Sequence, residues 1–276
     1  MNGPNQLASR EDLRPYADLI SYQEFDDMKL TLLRPVVLGT TLLLAGITAA
    51  QPTKPKTPPT ALCPTTITGI ASCPGEGCGE NGDVELNKAK NRTDIPAAAS
   101  VKHKTLSSMR SLSQPTRWDT GQDRTPIRTA GKEGTPVELT GFILKVKRGS
   151  AESCNCELPH PVNTDIHIVL VGDTETDGEE TSVTAEITPR IRANGHPDWL
   201  FKNVNDLEGE FVKVTGWLML DTKHIKQTHS LPNERIHKAL VRATNWEVHP
   251  VTKLEVCQKS VTACKSGDGW EDFTVP

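Results

Sequence analysis

Aromatic side chains are scarce in this chain: Phe, Trp and Tyr together make 4% of its 276 residues, and the hydrophobic fraction is only 36% beside 20 prolines. So little core-forming material argues for one modest domain accompanied by unpacked sequence rather than two domains. An excess of positive charge is missing too, the formal net charge being -4, which excludes generic electrostatic binding of nucleic acid and leaves room only for a local basic patch. No Ser, His and Asp set carries a nucleophile-elbow sequence, and no Gly-rich phosphate loop follows a strand pattern. A long apolar run is also lacking. The strongest, residues 35–50, is too short and too rich in small residues for a membrane span.

That short run follows Met28-Lys29 and Arg34 and ends in Ile47-Thr-Ala-Ala50-Gln51, the order of a secretory signal with cleavage after Ala50. Residues 28–50 are therefore expected to be a signal peptide, and residues 1–27, polar and acidic at their end, an upstream extension ahead of the true start at Met28. The alternative is an uncleaved membrane anchor. After cleavage no transmembrane segment is expected, and the product is secreted or periplasmic.

All 7 cysteines lie after the signal, as suits a compartment where disulfides persist. An odd count leaves at least one outside intramolecular pairs. Cys257 and Cys264 can close a small loop, and two of Cys63, Cys73 and Cys78 can staple the turn Pro74-Gly-Glu-Gly-Cys-Gly79.

Residues 51–135 read as a linker and irregular segment rich in Cys and Pro, with a short helix near Leu86, another at residues 106–112, Trp118 as a packing anchor, and a glycosylation-type triplet Asn91-Arg-Thr93. This segment is expected to drape over the domain downstream of it. From Pro136 to Val256 the hydrophobic period becomes two. Val137, Leu139, Gly141 and Ile143 mark a first strand, with Gly141 at a bulge or bend. Ile166, Ile168 and Leu170 mark a second, and Val183, Ala185 and Ile187 a third that Pro189 ends. Residues 196–207 read as a helix burying Trp199, Leu200, Val204 and Leu207. A fourth strand covers residues 211–220 and a fifth runs from Ala239 to His249 and on to Val256. Three strands, a helix and two strands in residues 136–256 is the order of the five-stranded OB barrel. The fold class is mainly β, with residues 257–276 as a C-terminal tail.

Gly141-Phe, Cys154-Asn-Cys156, Asp165-Ile-His-Ile168, Glu186-Ile-Thr-Pro-Arg190, His196-Pro-Asp-Trp199, Gly216-Trp-Leu-Met-Leu-Asp221 with His224, and Trp246-Glu-Val-His-Pro250 occur in that order. In these marks the chain resembles a group of uncharacterised exported bacterial proteins with an OB-like barrel, over most of the mature sequence. The resemblance implies a bacterial exported protein and carries no catalytic residue across.

The chemistry rests on side chains. Cys154, Cys156, Asp165 and His167 offer thiolate, carboxylate and imidazole donors of the kind zinc accepts, against a competing reading in which the sulfurs form disulfides. Alternation puts Asp165 and His167 on one side of strand two, Glu186 away from the apolar side of strand three, and Glu247 and His249 together on strand five. If those faces meet, they form a site for a divalent cation, zinc or calcium, with Arg190 and Arg242 available to a phosphate. That outline is similar in kind to the staphylococcal-type nucleases, by fold analogy alone. The bland alternative is a solvated sheet face with cross-strand polar pairs. Trp217 and Trp246 are either ligand-stacking platforms or core. Asp221 and His224, in a turn, rank below the strand residues.

The expectation is an exported OB-like binding module whose ligand is a nucleic acid, an oligosaccharide or an envelope protein. A metal-dependent, nuclease-like hydrolase and a purely structural or assembly protein are the rivals. No cofactor is required by the sequence.

Overall fold

Residues 57–80, 82–159, 161–228 and 242–275 are described in this computed structural model. The upstream extension, the signal segment and the expected start of the fifth strand at Ala239 lie outside the described residues. The strands are β1 (Lys102–Lys104), β2 (Pro136–Arg148), β3 (Ile166–Val171), β4 (Val183–Ile187), β5 (Phe211–Leu220), β6 (Trp246–Cys257) and β7 (Trp270–Asp272). The helices are α1 (Val84–Lys90), α2 (Leu106–Arg110), α3 (Thr125–Thr129), α4 (Pro189–Ala193), α5 (Phe201–Asn205) and α6 (Val261–Lys265).

The period-two apolar residues turn inward and make one core, with Val137, Leu139, Ile143, Ile168, Leu170, Val183, Ala185, Ile187, Val212, Val214 and Val248 all fully buried. β2 is long enough for two partners: residues 136–142 run antiparallel to β5, and from Phe142 onward it pairs with β3. Between Ile143 and Lys145 the register slips, just past the glycine where a bulge or bend is expected. β3 pairs antiparallel with β4, β4 meets β6 in parallel through Ala185 and Val248, and β6 pairs with β5. The circuit β2-β3-β4-β6-β5-β2 is a closed five-stranded barrel of OB type. Gly216 is required where β5 crosses β6, because a Cβ there would stand 2.2 Å from the carbonyl oxygen of Pro250.

The connection between the third and fourth barrel strands is helical, but differs in detail from expectation. It starts earlier, at α4, where Pro189 occupies the first turn and the Thr188 hydroxyl accepts from Ile191 N. Gly195 and Pro197 then interrupt it before α5, as residues poorly suited to a helix interior do. Trp199 and Val204 are buried as expected, whereas Leu200 is 48% exposed.

Two additions cover the barrel. β1 pairs in parallel with the first half of β2, and in the expected tail β7 pairs with β6. Disulfides join Cys63 to Cys78, Cys73 to Cys156, and Cys257 to Cys264. Cys154 is the free, buried thiol. Of these bonds, the third closes the loop that the spacing offered, and the first is one of the pairings left open among Cys63, Cys73 and Cys78. The second ties the N-terminal segment to the loop after β2, a pairing that no spacing announced. Asn91 is buried, and its side-chain amide donates to Gly75 O and Cys154 O, so the glycosylation triplet is closed to modification in the folded chain. Among the described residues no helix is long and apolar enough to cross a membrane.

Candidate functional site

The outward side chains of β3, β4 and β6 carry charge, yet they are not the solvated face of the bland reading. Asp165, Glu186, Glu247 and His249 are 2%, 3%, 0% and 0% exposed. Sheet adjacency brings them together. His167 faces Glu186 across the β3–β4 ladder, with Nε2 3.5 Å from Oε1. The β4–β6 pairing then sets His249 Nδ1 2.9 Å from Glu186 Oε2 and 3.2 Å from Glu247 Oε1, close for charge pairing but out of hydrogen-bond alignment. Arg242 donates to Glu247 Oε2 at 2.8 Å and also to Asp221 Oδ2.

The cover comes from the N-terminal segment. Asp83 caps α1, its carboxylate accepting from Glu85 N and Leu86 N, and the helix carries Lys90 inward to Glu152 Oε2 at 2.6 Å. Asn155 donates to Asp165 Oδ1 at 3.0 Å. A cavity of about 330 Å³ opens over this face, walled by Lys147, Arg148, His167, Glu186, Asp221 and Arg242 among others.

Burial raises the pKa of every carboxyl group here; neighbours decide the outcome. Burial lifts Asp165, assisted by the negative Glu152 and Glu186 against the His249 charge. Burial and Glu186 lift Glu247 as well. In Glu186 the charges of His167 and His249 outweigh burial and hold the carboxyl well below its usual range. For His249 burial works against protonation, but Glu186 and Glu247 push its pKa up to about 10. Asp221 is held low, since Arg242 and His224 overcome its burial. Burial pushes the Cys154 thiol well up, so it stays protonated, with Sγ 3.4 Å from Glu152 Oε2.

Several expected assignments change. Cys156 is spent in its disulfide with Cys73 and is no metal ligand. Cys154 and Asp165 stay together, now with Glu152 in place of Cys156 and His167, while Asp165, Glu186 and His249 bring one donor atom each within 4.8 Å of one another. Trp246 is fully buried, its indole N–H donating to Ser113 O at 3.0 Å, which makes it core and no stacking platform. Trp217 stands apart from the cluster, its N–H donating to Asp94 O and the Arg92 guanidinium 3.3 Å above its ring. Arg190 donates to Cys73 O and Pro74 O, both at 2.8 Å, and so ties down the N-terminal segment instead of standing free for a phosphate. Arg242 is committed to two carboxylates. Asp221 and His224, ranked low for lying in a turn, belong to the network: His224 Nδ1 is 2.7 Å from Asp221 Oδ2. Lys90, Glu152, Asn155 and Arg148 escape sequence reasoning. Only the helix pattern around Leu86 hints that this segment is ordered, and nothing local shows which strands it covers.

No protein-family model matches the chain, and no curated protein sequence matches it. Among solved structures, the asparaginyl-tRNA synthetase of Entamoeba histolytica is similar over 50% of this chain, at 17% identity and a TM-score of 0.25. The match spans 24% of that protein's length. The barrel rests on the strand circuit itself.

Proposed function

We infer that the protein is an exported OB-like binding module that holds an oligosaccharide in the cavity over β3 and β4, in the cell envelope or outside the cell. One observation carries this reading. The cavity is walled by residues 147–150 from the end of β2 and the loop after it, by His167 and Glu186 from the facing strands, and by Asp221, His224 and Arg242 from the connection between β5 and β6. In OB barrels this strand face, flanked by these two loops, is where oligonucleotides and oligosaccharides bind. Among the described residues no Phe, Trp or Tyr lines the cavity, and its Lys147, Arg148 and Arg242 are offset by Glu152, Glu186 and Asp221. Base stacking and phosphate attraction are thereby weak, while hydroxyl groups suit such mixed donors and acceptors. Export is supported by the three disulfides and the signal-like stretch.

The test is a glycan array followed by calorimetry, with labelled oligonucleotides in parallel. Oligosaccharide binding is expected, weakened at least ~10-fold in Arg148→Ala and His167→Ala, the loss of a hydrogen bond to a charged group being about 1.5–3 kcal/mol. Unchanged affinity in both variants, or binding of oligonucleotides alone, refutes it.

A second reading, metal-assisted hydrolysis, is favoured by the convergence of Asp165, Glu186 and His249 beside the cavity, since a bound divalent cation makes water a nucleophile near neutral pH. Zinc- or calcium-dependent cleavage of a phosphodiester or glycoside, abolished in His249→Gln, is expected on that reading. Absence of cleavage with either cation removes it.

A further inference from the structure

We propose that Asp165, Glu186 and His249 form a divalent-cation site, of the class that takes zinc. The three donor atoms come from three different strand contexts, the residue leading into β3, the C-terminal end of β4 and the first third of β6, and lie within 4.8 Å of one another. Ligands held at about 2.0–2.2 Å around zinc stand on the order of 3–4 Å apart, so the present spacing needs only small side-chain adjustment. The residues are 2%, 3% and 0% exposed.

Acidic clusters are common, and two further observations distinguish this one. Asp165 Oδ2 and His249 Nε2 are buried and have no hydrogen-bond partner among the described residues. Leaving buried polar atoms unpaired costs about 1–3 kcal/mol each, so native chains ordinarily satisfy them. Of the remaining polar atoms, Asp165 Oδ1 accepts from Asn155, whereas His249 Nδ1 stands 2.9 Å from Glu186 Oε2 and 3.2 Å from Glu247 Oε1 and, like Nε2, forms no hydrogen bond. Asp165 Oδ2 and the ring nitrogens of His249 are therefore the atoms open to a cation, with Asn155 orienting the carboxylate.

The surrounding carboxylates Glu152, Asp221 and Glu247 are already held by Lys90 and Arg242, which leaves Asp165 and Glu186 as the carboxylates open to a cation. One imidazole with two carboxylates is a mixed N and O donor set, which suits zinc better than calcium, an all-oxygen ion. The neighbouring group Glu152, Cys154 and Asp165 also lies within 4.8 Å, but its Glu152 already holds Lys90 at 2.6 Å.

This site is independent of what the cavity binds, because metal alone reads it. The experiment uses the full chain with its disulfides formed, stripped with chelator and titrated with zinc chloride by calorimetry, with cobalt absorption spectra and thermal melting alongside. One equivalent of zinc is expected, with a rise in melting temperature and cobalt bands typical of nitrogen and oxygen ligands. His249→Gln and Asp165→Asn are each expected to weaken binding by at least ~100-fold, beyond the loss typical of groups that only orient a ligand, and Cys154→Ser is expected to leave it intact. Circular dichroism and a cooperative melt certify each variant as folded. Should one variant fail to fold, the other and the wild-type cobalt spectrum decide. The proposal is overturned if folded wild-type protein binds no zinc, if calcium binds in its place, if both ligand variants bind normally, or if Cys154→Ser alone abolishes binding.

Discussion

Replacing Arg242 with methionine is expected to lower stability by about 3–5 kcal/mol at neutral pH, the usual consequence of removing one partner from a buried ion pair. Its guanidinium serves two carboxylates at once, Asp221 and Glu247, whose side chains are 2% and 0% exposed. Methionine fills similar volume, so the loss reports charge more than cavity. Urea denaturation measures it, and adding Asp221→Asn to the variant should recover part of the loss by removing the stranded charge. A loss below about 1 kcal/mol would place the network in water rather than in the protein interior. The same pair sets an acid limit. Burial would raise the Asp221 carboxyl, but the Arg242 charge and the His224 hydrogen bond hold it well below its ordinary value. A depressed folded-state pKa contributes stability that is present above about pH 4, the unfolded value, and is lost as pH falls through the folded one. Wild-type stability should therefore fall more steeply than that of the variant as pH drops below about 4.

The second large effect is expected from Cys73→Ser with Cys156→Ser. These residues are separated by 83 positions, and a bridge closing so long a loop constrains the unfolded chain by about 4.5 kcal/mol in the chain-entropy treatment. The bond also fastens the N-terminal segment beside Lys90, so its loss should expose the outer face of β3 and β4 and admit protease at residues 57–104. A control is built in. Cys257 and Cys264 are only 7 positions apart, and their double serine variant should lose about 2 kcal/mol without new cleavage upstream. Equal losses and equal proteolysis in the two variants would show that the long bridge does not hold the cover in place.

The polar residues show where sequence reading succeeds and where it stops. Asp165 with His167, and Glu247 with His249, are separable from their apolar neighbours because side chains two apart share a face of a strand. Whether that face is wet cannot be read the same way. Period-two alternation marks a strand with unlike sides, and a polar side reads as solvent-facing until something else packs on it. Trp246 is ambiguous for the related reason that its strand position suits core and platform equally. Asp221 is undervalued when a turn is equated with exposure, although Arg242, from the far end of the same connection, reaches back to it.

Local order along the chain determined the barrel: the strand positions, the helical connection, and the short disulfide loop at Cys257 and Cys264 follow from period, turn residues and spacing within a few positions. Tertiary structure alone decided the site. Glu186 meets His249 because β4 and β6 close the barrel in parallel, and Lys90 reaches Glu152 because the Cys73–Cys156 bond and the Asn91 amide on Cys154 O hold α1 over the loop after β2. Contacts across about 60 or more positions leave no period in the sequence, and burial of charge depends on the segment that covers it.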